Sequence, residues 1–166
     1  MDKGYTASVI TVGDRIYRGE KADLSGPALC DFLRSDGWEI VYTAIVPDEK
    51  ERIEEILIHC ADVIRADLVV TNGGTGFSGK DVTPEATLTV VDREARGIPE
   101  AMRYASQQTT YKACLSRSAA GLRGNTLIVN VPGGRSASCE NLAAVLPAIK
   151  HGIKMLHLFE GTEDQA

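Results

Sequence analysis

The residues best suited to chemistry stand close together in the middle of the chain. Gly73-Gly74-Thr75-Gly76 follows a short apolar run, and Lys80-Asp81 and Thr83-Pro84-Glu85 come soon after it. Glycines let a backbone approach a phosphate or a flat ring, and a helix start offers unpaired N–H groups. A cation, a carboxylate and a helix start in one stretch suit a phosphate with magnesium. Taken alone, however, the glycine tetrapeptide is equally compatible with a tight turn.

Two aspartates are candidates for metal or phosphate chemistry. Asp48 precedes a helical pattern with Glu51 three residues later, the spacing of a capping box, and spacing alone favours that structural role. Asp81 precedes Thr83, which can itself cap a helix, so the Asp81 carboxylate is the better catalytic candidate. Placed on loops at one sheet edge, both could position a magnesium ion, which prefers oxygen ligands and substrate phosphates.

The sequence lacks the motifs of common nucleotide-binding, metal and redox sites. The glycine loop matches neither the Gly-x-x-x-x-Gly-Lys-Ser/Thr motif nor the Gly-x-Gly-x-x-Gly motif. The cysteines are widely separated, which indicates reduced structural thiols and not a zinc or dithiol centre. The histidines fall on predicted helices without a cluster of further ligands. These residues are Cys30, Cys60, Cys114 and Cys139, and His59, His151 and His157.

Strands and helices alternate along the chain. Apolar or alternating patterns predict strands over 5–12, 38–46, 67–72 and 126–131. Three of them end in Gly13-Asp14, in the loop 72–79 and in Pro132-Gly133-Gly134. The alternation predicts a mainly parallel sheet covered by helices on both faces. In such a sheet, the polar loops gather beyond the carboxyl ends of the strands, where ligands bind.

The predicted helices have identifiable starts. Ser25 or Gly26 can cap a helix with Pro27 in its first turn, and Thr83 can cap one with Pro84 at its first position. Further helices are predicted after residue 48, over 99–106 and along an apolar stripe over 142–156. The segment 115–123 fits no single element. Three arginines are expected on helices, solvated or paired: Arg93, Arg96 and Arg103.

Size and charge restrict the classes of protein. The chain has 166 residues, of which 43% are hydrophobic, and its formal net charge is −5. We expect one domain over 1–160 and a loose acidic tail over 161–166. The charge and the absence of Lys/Arg runs exclude general binding to nucleic acid or to an anionic membrane. Neither a secretory signal nor an apolar run of about 20 residues stands out, so we expect a cytoplasmic protein.

Nearly the whole chain resembles one family. The run from Thr71 to Thr87, TNGGTGFSGKDVTPEAT, closely resembles the signature of the molybdopterin adenylyltransferases, shared with MoaB proteins and the gephyrin G domain. The resemblance continues through 92–94, 115–124, Pro132-Gly133 and Glu140-Asn141-Leu142. Asp14-Arg15 and residues 25–29 near the start are also similar to the family.

The resemblance implies an α/β/α sandwich, assembled as a homotrimer, that uses ATP and Mg²⁺ to transfer AMP to the terminal phosphate of molybdopterin. The resemblance also implies contact with the molybdate-inserting enzyme. By position, the two essential acidic residues of the family, also the magnesium ligands, are Asp48 and Asp81, and a pterin-site serine is Ser106. The implied ligand-binding loops contain Gly73, Gly74, Thr75, Gly76 and Gly133.

The chain departs from the family at two places. Gly13 stands where a Ser commonly precedes the aspartate, and Gly134-Arg135 replaces a small residue and Pro. Two alternatives remain beside the enzyme. A catalytically silent pterin-binding or scaffold protein is disfavoured by the presence of both Asp48 and Asp81. A domain of the molybdate-inserting enzymes is disfavoured because those chains are much longer.

Overall fold

The computed structural model describes residues 4–163, in which six strands and six α-helices alternate. The strands are β1 Thr6–Val12, β2 Glu39–Val46, β3 Leu68–Asn72, β4 Arg93–Glu94, β5 Ala120–Arg123 and β6 Thr126–Val131. The helices are α1 Asp14–Tyr17, α2 Ser25–Ser35, α3 Lys50–Ile58, α4 Thr83–Val90, α5 Gly97–Gln107 and α6 Arg135–Glu163. A π-helical turn, His59–Ile64, continues α3, and a 3₁₀ turn covers Tyr111–Leu115.

The strands form a single six-stranded sheet in the order β2-β1-β3-β6-β5-β4. The first four are parallel, with Ile10 of β1 beside Thr71 of β3 and Thr71 beside Asn130 of β6. Strand β5 runs antiparallel to β6, and β4 runs antiparallel to β5. The predicted α/β/α sandwich with a mainly parallel sheet is therefore confirmed, and the segment 115–123, left open by its sequence, supplies the antiparallel addition.

Apolar side chains cover both faces of the sheet. On one face, helices α2, α5 and α6 bury Leu33, Met102 and Ile149 against the strands. On the other, α3 and α4 bury Ile53 and Ala86. The central strands β1, β3 and β6 are enclosed on both sides and buried almost throughout, and most of their residues are apolar, as in other buried parallel strands.

Helix α6 is long and apolar enough, over Arg135–Phe159, to cross a membrane by length and composition alone. Its buried residues recur every three or four positions and pack into the core: Leu142, Val145, Leu146, Ile149 and Ile153. The opposite side exposes charged residues such as Glu140 and Lys154. A helix with one apolar stripe is typical of packing against a sheet, and that is the role of α6 here.

Several predicted details need correction. Arg93 lies in β4 and Arg96 just before α5, where it pairs with Glu94, so neither is helical. Only Arg103 lies on a helix, α5, as predicted. Helix α6 runs to Glu163, so the first half of the segment 161–166, predicted to be loose, is helical, and residues 164–166 lie outside the described part.

Two hydroxyl groups predicted to cap helices bond elsewhere. The Ser25 hydroxyl donates a hydrogen bond to the Gly133 carbonyl at 2.6 Å, and the carboxylate that accepts from the start of α2 belongs to Asp23. The Thr83 hydroxyl donates to the Gly73 carbonyl at 2.9 Å instead of capping α4. Both predicted caps were wrong because Ser25 and Thr83 are the first residues of α2 and α4, one position after the cap, which Leu24 and Val82 occupy.

Two thiols and two imidazoles are packed or paired within the fold. All four cysteines are free, with Cys30 and Cys60 buried. Burial raises the pKa of the Cys60 thiol to about 11, so it stays protonated. His59 packs against the ring of Tyr42, and His157 pairs with Asp67 at 2.7 Å.

Candidate functional site

The loops that follow the parallel strands meet at one edge of the sheet in direct backbone contact. Gly73, at the end of β3, donates its N–H to the Val131 carbonyl of β6 at 3.3 Å. A Cβ at Gly73 would lie 2.3 Å from the Val12 carbonyl oxygen, and one at Gly133 would lie 3.2 Å from the Gly73 Cα. Gly73 also has a φ of 95°, a conformation that favours glycine. Only glycine therefore fits at position 73, and a side chain at position 133 would crowd the Gly73 backbone.

Asp48 lies in this cluster and does not cap α3. Its carboxylate accepts the N–H of Asp14 at 2.8 Å, and the Asp14 carboxylate accepts the N–H of Asp48 at 3.0 Å. The residue before α3 is Glu49, and no side chain caps that helix. The capping-box interpretation is thus wrong, and the Asp48 side chain instead joins the loops after β1 and β2.

Lys80 brings the loop after β3 to the same place. Its ammonium group lies 2.5 Å from the Asp14 carboxylate. Gly74 has a φ of 67°, and a Cβ there would lie 3.4 Å from an Asp48 carboxylate oxygen and 2.3 Å from the Thr83 hydroxyl. The absence of a side chain at Gly74 therefore allows the glycine loop to pack against Thr83, with Asp48 beside it.

The charges at this edge are unbalanced. Burial raises the pKa of Asp48, and the negative charges of Asp14 and Asp81 raise it further, while Lys80 and the Asp14 N–H oppose the effect. The hydrogen bond from Lys80 lowers the pKa of Asp14. Two carboxylates thus oppose the ionised form of Asp48 and one ammonium group, that of Lys80, favours it, so an added cation would stabilise the Asp48 carboxylate. We call Asp14, Asp48 and Asp81 the carboxylate group.

The carboxylate group does not form a closed metal cage. Among residues 4–163, no three side chains of His, Cys, Asp or Glu are close enough to hold a metal ion. A cation at Asp48 and Asp81 would therefore need additional oxygen ligands from a substrate or from water. Magnesium is commonly bound in that way, through one or two carboxylates and the phosphates of the substrate.

Asp81 is fixed within its own loop. Its carboxylate accepts the Ser78 N–H at 2.9 Å, and its N–H donates to the Ser78 carbonyl at 2.9 Å. A Cβ at Gly76 would lie 2.9 Å from the Asp81 carboxylate, so the loop passes close to this side chain. The guanidinium of Arg117 also reaches this loop, donating to the carbonyls of Gly76 at 2.8 Å and Asp81 at 2.6 Å.

A cavity of about 460 Å³ opens beside the glycine loop. Thr75, Gly76 and Ser106 line it, together with Phe77 and Ser116. Its volume falls in the range of small-molecule sites. The structure therefore divides the predicted site residues into two neighbouring parts, with Ser106 at the cavity and Asp48 and Asp81 in the carboxylate group. The glycine loop 73–76 borders both parts, since Gly76 lines the cavity and a Cβ there would lie 2.9 Å from the Asp81 carboxylate.

Three side chains of this site were not among the residues predicted from the sequence to be functional: Asp14, its partner Lys80, and Arg117. Asp14 contacts a residue 34 positions away, Lys80 one 66 positions away and Arg117 one 36 positions away. No local pattern reports such contacts. The available signal was the family resemblance, which includes Asp14, Lys80 and Arg117 but does not say what they touch.

The two departures from the family pattern leave the backbone undisturbed. Gly13 has a φ of 168°, which is extended and open to any residue, and a Cβ there would meet only Ile16 at 3.7 Å. A Cβ at Gly134 would meet Ala137 at 3.5 Å, an ordinary contact. Either glycine could therefore carry a side chain in this fold.

Comparison with known proteins gives the family. Residues 8–151 match the family described as "Probable molybdopterin binding domain". Molybdopterin adenylyltransferase of Helicobacter pylori strain 26695 is 40% identical over 151 residues, covering 89% of this chain and 85% of the relative. Gephyrin of Dictyostelium discoideum is 36% identical over 166 residues, covering 94% of this chain but only 23% of gephyrin.

A solved structure agrees with this assignment. The molybdopterin biosynthesis enzyme MoaB of Thermus thermophilus superposes with a TM-score of 0.87 at 40% identity, covering 92% of this chain and 96% of that one. The matched residues 8–151 include the glycine loop, the carboxylate group and Ser106. The chain therefore belongs to the molybdopterin-binding domain family of molybdenum cofactor biosynthesis, as the run from Thr71 to Thr87 predicted.

Proposed function

We propose that this protein adenylylates molybdopterin, taking AMP from Mg-ATP and releasing pyrophosphate. That the chain is an enzyme of the molybdopterin adenylyltransferase type is supported by relatives of that name from Helicobacter pylori and Escherichia coli, 40% and 38% identical. The observation that carries the finer proposal is that the glycine loop borders both the carboxylate group and an apolar cavity. A phosphate site and a ring site are needed for this transfer, and the two parts fit them.

The carboxylate group is the proposed site for the phosphates. Asp48 and Asp81 would hold Mg²⁺, and their incomplete donor set fits a metal that takes its remaining ligands from phosphate oxygens. The ion supplies charge neutralisation for the nucleotide. Lys80, held against Asp14, adds a positive charge at the same edge. The backbone of Gly73, Gly74, Thr75 and Gly76, with Gly133, would lie along the anionic oxygens.

The cavity is the proposed site for the pterin. Its lining is mostly apolar, which suits a flat heterocycle, while Ser106, Ser116 and Thr75 offer hydroxyl groups for its polar edge. Ser106 lies on α5, a helix of 11 residues whose residue Met102 is buried in the core, so its position is fixed by packing. This placement agrees with the pterin-site role that the family resemblance gives Ser106.

The reaction requires no protein nucleophile. A phosphate oxygen of molybdopterin attacks the α-phosphorus of ATP and forms a new P–O bond. The bond from that phosphorus to the oxygen bridging the β-phosphate breaks, and the electron pair leaves with pyrophosphate. The side chains contribute by holding the two phosphates in line and by balancing negative charge. The glycine loop, which touches both parts of the site, is the element that sets the distance between the substrates.

The decisive test is formation of adenylated molybdopterin by the purified protein given molybdopterin, ATP and Mg²⁺. Replacing Asp48→Asn or Asp81→Asn should lower turnover by about 100-fold or more, because each removes a charge that organises the phosphates. Asp31→Asn is the matched control, since Asp31 is exposed on α2 and pairs with Arg34 along the helix. Near-normal turnover in both site variants would contradict the proposed roles.

The same experiment separates the enzyme from the alternative. Tight binding of molybdopterin by the wild-type protein without any product would favour a silent pterin-binding or scaffold protein. A homotrimeric assembly, contact with the molybdate-inserting enzyme and a cytoplasmic location stay predictions from the resemblance and the composition.

A further inference from the structure

The guanidinium group of Arg117 uses its three nitrogens on three different acceptors. Its Nε donates to the Gly76 carbonyl at 2.8 Å, one terminal nitrogen donates to the Asp81 carbonyl at 2.6 Å, and the other pairs with Glu85. Its backbone N–H donates to the Thr75 carbonyl at 2.8 Å. Arg117 therefore holds both ends of the loop segment 76–81 and the first turn of α4.

The segment that carries Arg117 is itself attached to α5. Arg103 of α5 donates to the carbonyls of Ser116 at 3.2 Å and Ser118 at 3.1 Å. The hydroxyl groups of Ser116 and Ser118 lie 3.0 Å apart. Ser116 also lines the cavity, as Ser106 of α5 does. The segment 116–118 is thus both a wall of the cavity and the support from which Arg117 reaches the loop of Asp81.

We propose that Arg117 is a positioning residue that fixes the Asp81 loop relative to the cavity and so sets the alignment of the two substrates. The inference rests on the proposed function. It assigns Arg117 no contact with ATP or pterin. Its effect is to keep two surfaces, the loop 76–81 and the segment 116–118, at one separation. In-line transfer between bound groups is sensitive to displacements of about 1 Å, which can cost about 100-fold in rate.

The planar fork of arginine is essential to this role. The three acceptors, two carbonyls and one carboxylate, lie around one guanidinium plane, and its separate N–H groups can serve all of them at once. A lysine ammonium keeps the positive charge but cannot span the same three acceptors. If Arg117 acted only through its charge, a lysine at this position would preserve activity. If it acts by geometry, lysine should fail.

The test compares Arg117→Lys with the wild-type enzyme in steady-state turnover. We expect kcat to fall by about 100-fold, while KM for ATP and for molybdopterin stays within about threefold, because the binding surfaces remain and only their alignment changes. A kcat close to wild type would overturn the inference. A loss confined to KM would also overturn it, since it would place Arg117 in ligand binding.

Arg123→Lys is the matched control. Arg123 makes a similar three-armed set of contacts, to both carboxylate oxygens of Asp62 and to the Val90 carbonyl, away from the carboxylate group and the cavity. The Arg123→Lys variant should lose about as much thermal stability as Arg117→Lys, while its kcat stays within about twofold of wild type. An equal fall in kcat in both variants would reduce the effect at Arg117 to general destabilisation, and the inference would fail.

A second measurement separates this inference from the proposed reaction. Amide hydrogen exchange at residues 76–81 of the free protein needs no substrate, and Arg117→Lys should accelerate it while Arg123→Lys leaves it unchanged. If the wild-type protein forms no product, the proposed function fails, and the exchange result still decides whether Arg117 holds the loop. Unchanged exchange in Arg117→Lys would contradict the positioning role.

Discussion

The carboxylates of Asp48 and Asp14 each accept the backbone N–H of the other residue, but the two carboxylates differ in electrostatic environment. Burial and the neighbouring negative charges raise the pKa of Asp48, whereas the hydrogen bond from Lys80 lowers the pKa of Asp14. The ionised form of Asp48 is thus disfavoured by the fold, and that of Asp14 is favoured. A nearby positive charge would reduce this disadvantage for Asp48.

The raised pKa has a measurable effect on stability. An acid with a raised folded pKa binds its proton better in the folded state, so its charge destabilises the fold above that pKa. Asp48→Asn should therefore raise the Tm of the metal-free protein at pH 7 by a few degrees. The gain should shrink as pH falls through the raised pKa toward the ordinary value of 3.8. Thermal unfolding followed by circular dichroism between pH 4 and pH 7 measures it.

Asp14→Asn is the control of opposite sign. The pKa of Asp14 is lowered, so its stabilising contribution is present above the ordinary value of 3.8 and is lost as pH falls. This variant should lower the Tm at pH 7, and only slightly, because its partner Lys80 is largely exposed. If Asp48→Asn also lowered the Tm at pH 7, the described charge balance of the carboxylate group would be wrong.

At the level of elements, the glycine loop depends on backbone conformation more than on side chains. Gly73 has a positive φ and lies against the Val12 carbonyl, whereas Gly79 has open space where a Cβ would be. Gly73→Ala should lower the free energy of unfolding by about 1–3 kcal/mol, since it adds backbone strain and a contact that forces strands apart.

Gly79→Ala is the matched variant for this prediction. Gly79 lies in the same connection between β3 and α4, and an added methyl group would meet nothing within 4 Å. The free energy of unfolding should therefore stay within about 0.5 kcal/mol of wild type. Urea unfolding of both variants measures the difference. Equal stabilities would mean that the loop relaxes away from Val12 without cost.

The sequence predicted the existence of these elements better than their ends. Hydrophobic periodicity located β1, β2, β3 and β6, because each strand has to bury apolar side chains. It failed at the starts of α2 and α4, where the hydroxyls of Ser25 and Thr83 bond to distant loops. The antiparallel β5 escaped prediction because four residues are too few to show a period. Contacts between distant segments decide such features, and only the fold reveals them.

The same limit applies to the site. The glycine loop could be identified from residue types, and Asp81 from its neighbours, but Asp48 needed the family resemblance to outweigh its capping pattern. Arg117 could not be selected at all, since its acceptors are mainly backbone carbonyls, which carry no sequence signal. Residues that act through the backbone are in general invisible to motif analysis.

At the scale of the molecule, two apolar layers share one sheet. Ile149 belongs to the layer under α6 and Ile53 to the layer under α3, and both are almost fully buried. Replacing either by Ala should lower the free energy of unfolding by about 2–5 kcal/mol, from lost burial and the cavity left behind. Because the sheet joins the layers, both variants should still unfold in one transition, as expected of a single domain over 1–160.

Calorimetry and urea unfolding check this prediction together. Val63→Ala is the control, since 67% of the Val63 side chain is exposed and its truncation should change stability by less than about 0.5 kcal/mol. Two separate transitions in either core variant would show that the layers fold independently and would contradict the single-domain prediction.

The extended backbone at Gly13 bears on how such chains diverge. Glycine there is not demanded by φ, and the space around its Cα admits a side chain without displacing Ile16. A serine at this position would therefore fit the same backbone without steric strain. Gly73 is the opposite case, because any replacement must meet the Val12 carbonyl. Two glycines at the same sheet edge thus differ in steric constraint, since a side chain fits at Gly13 and clashes at Gly73.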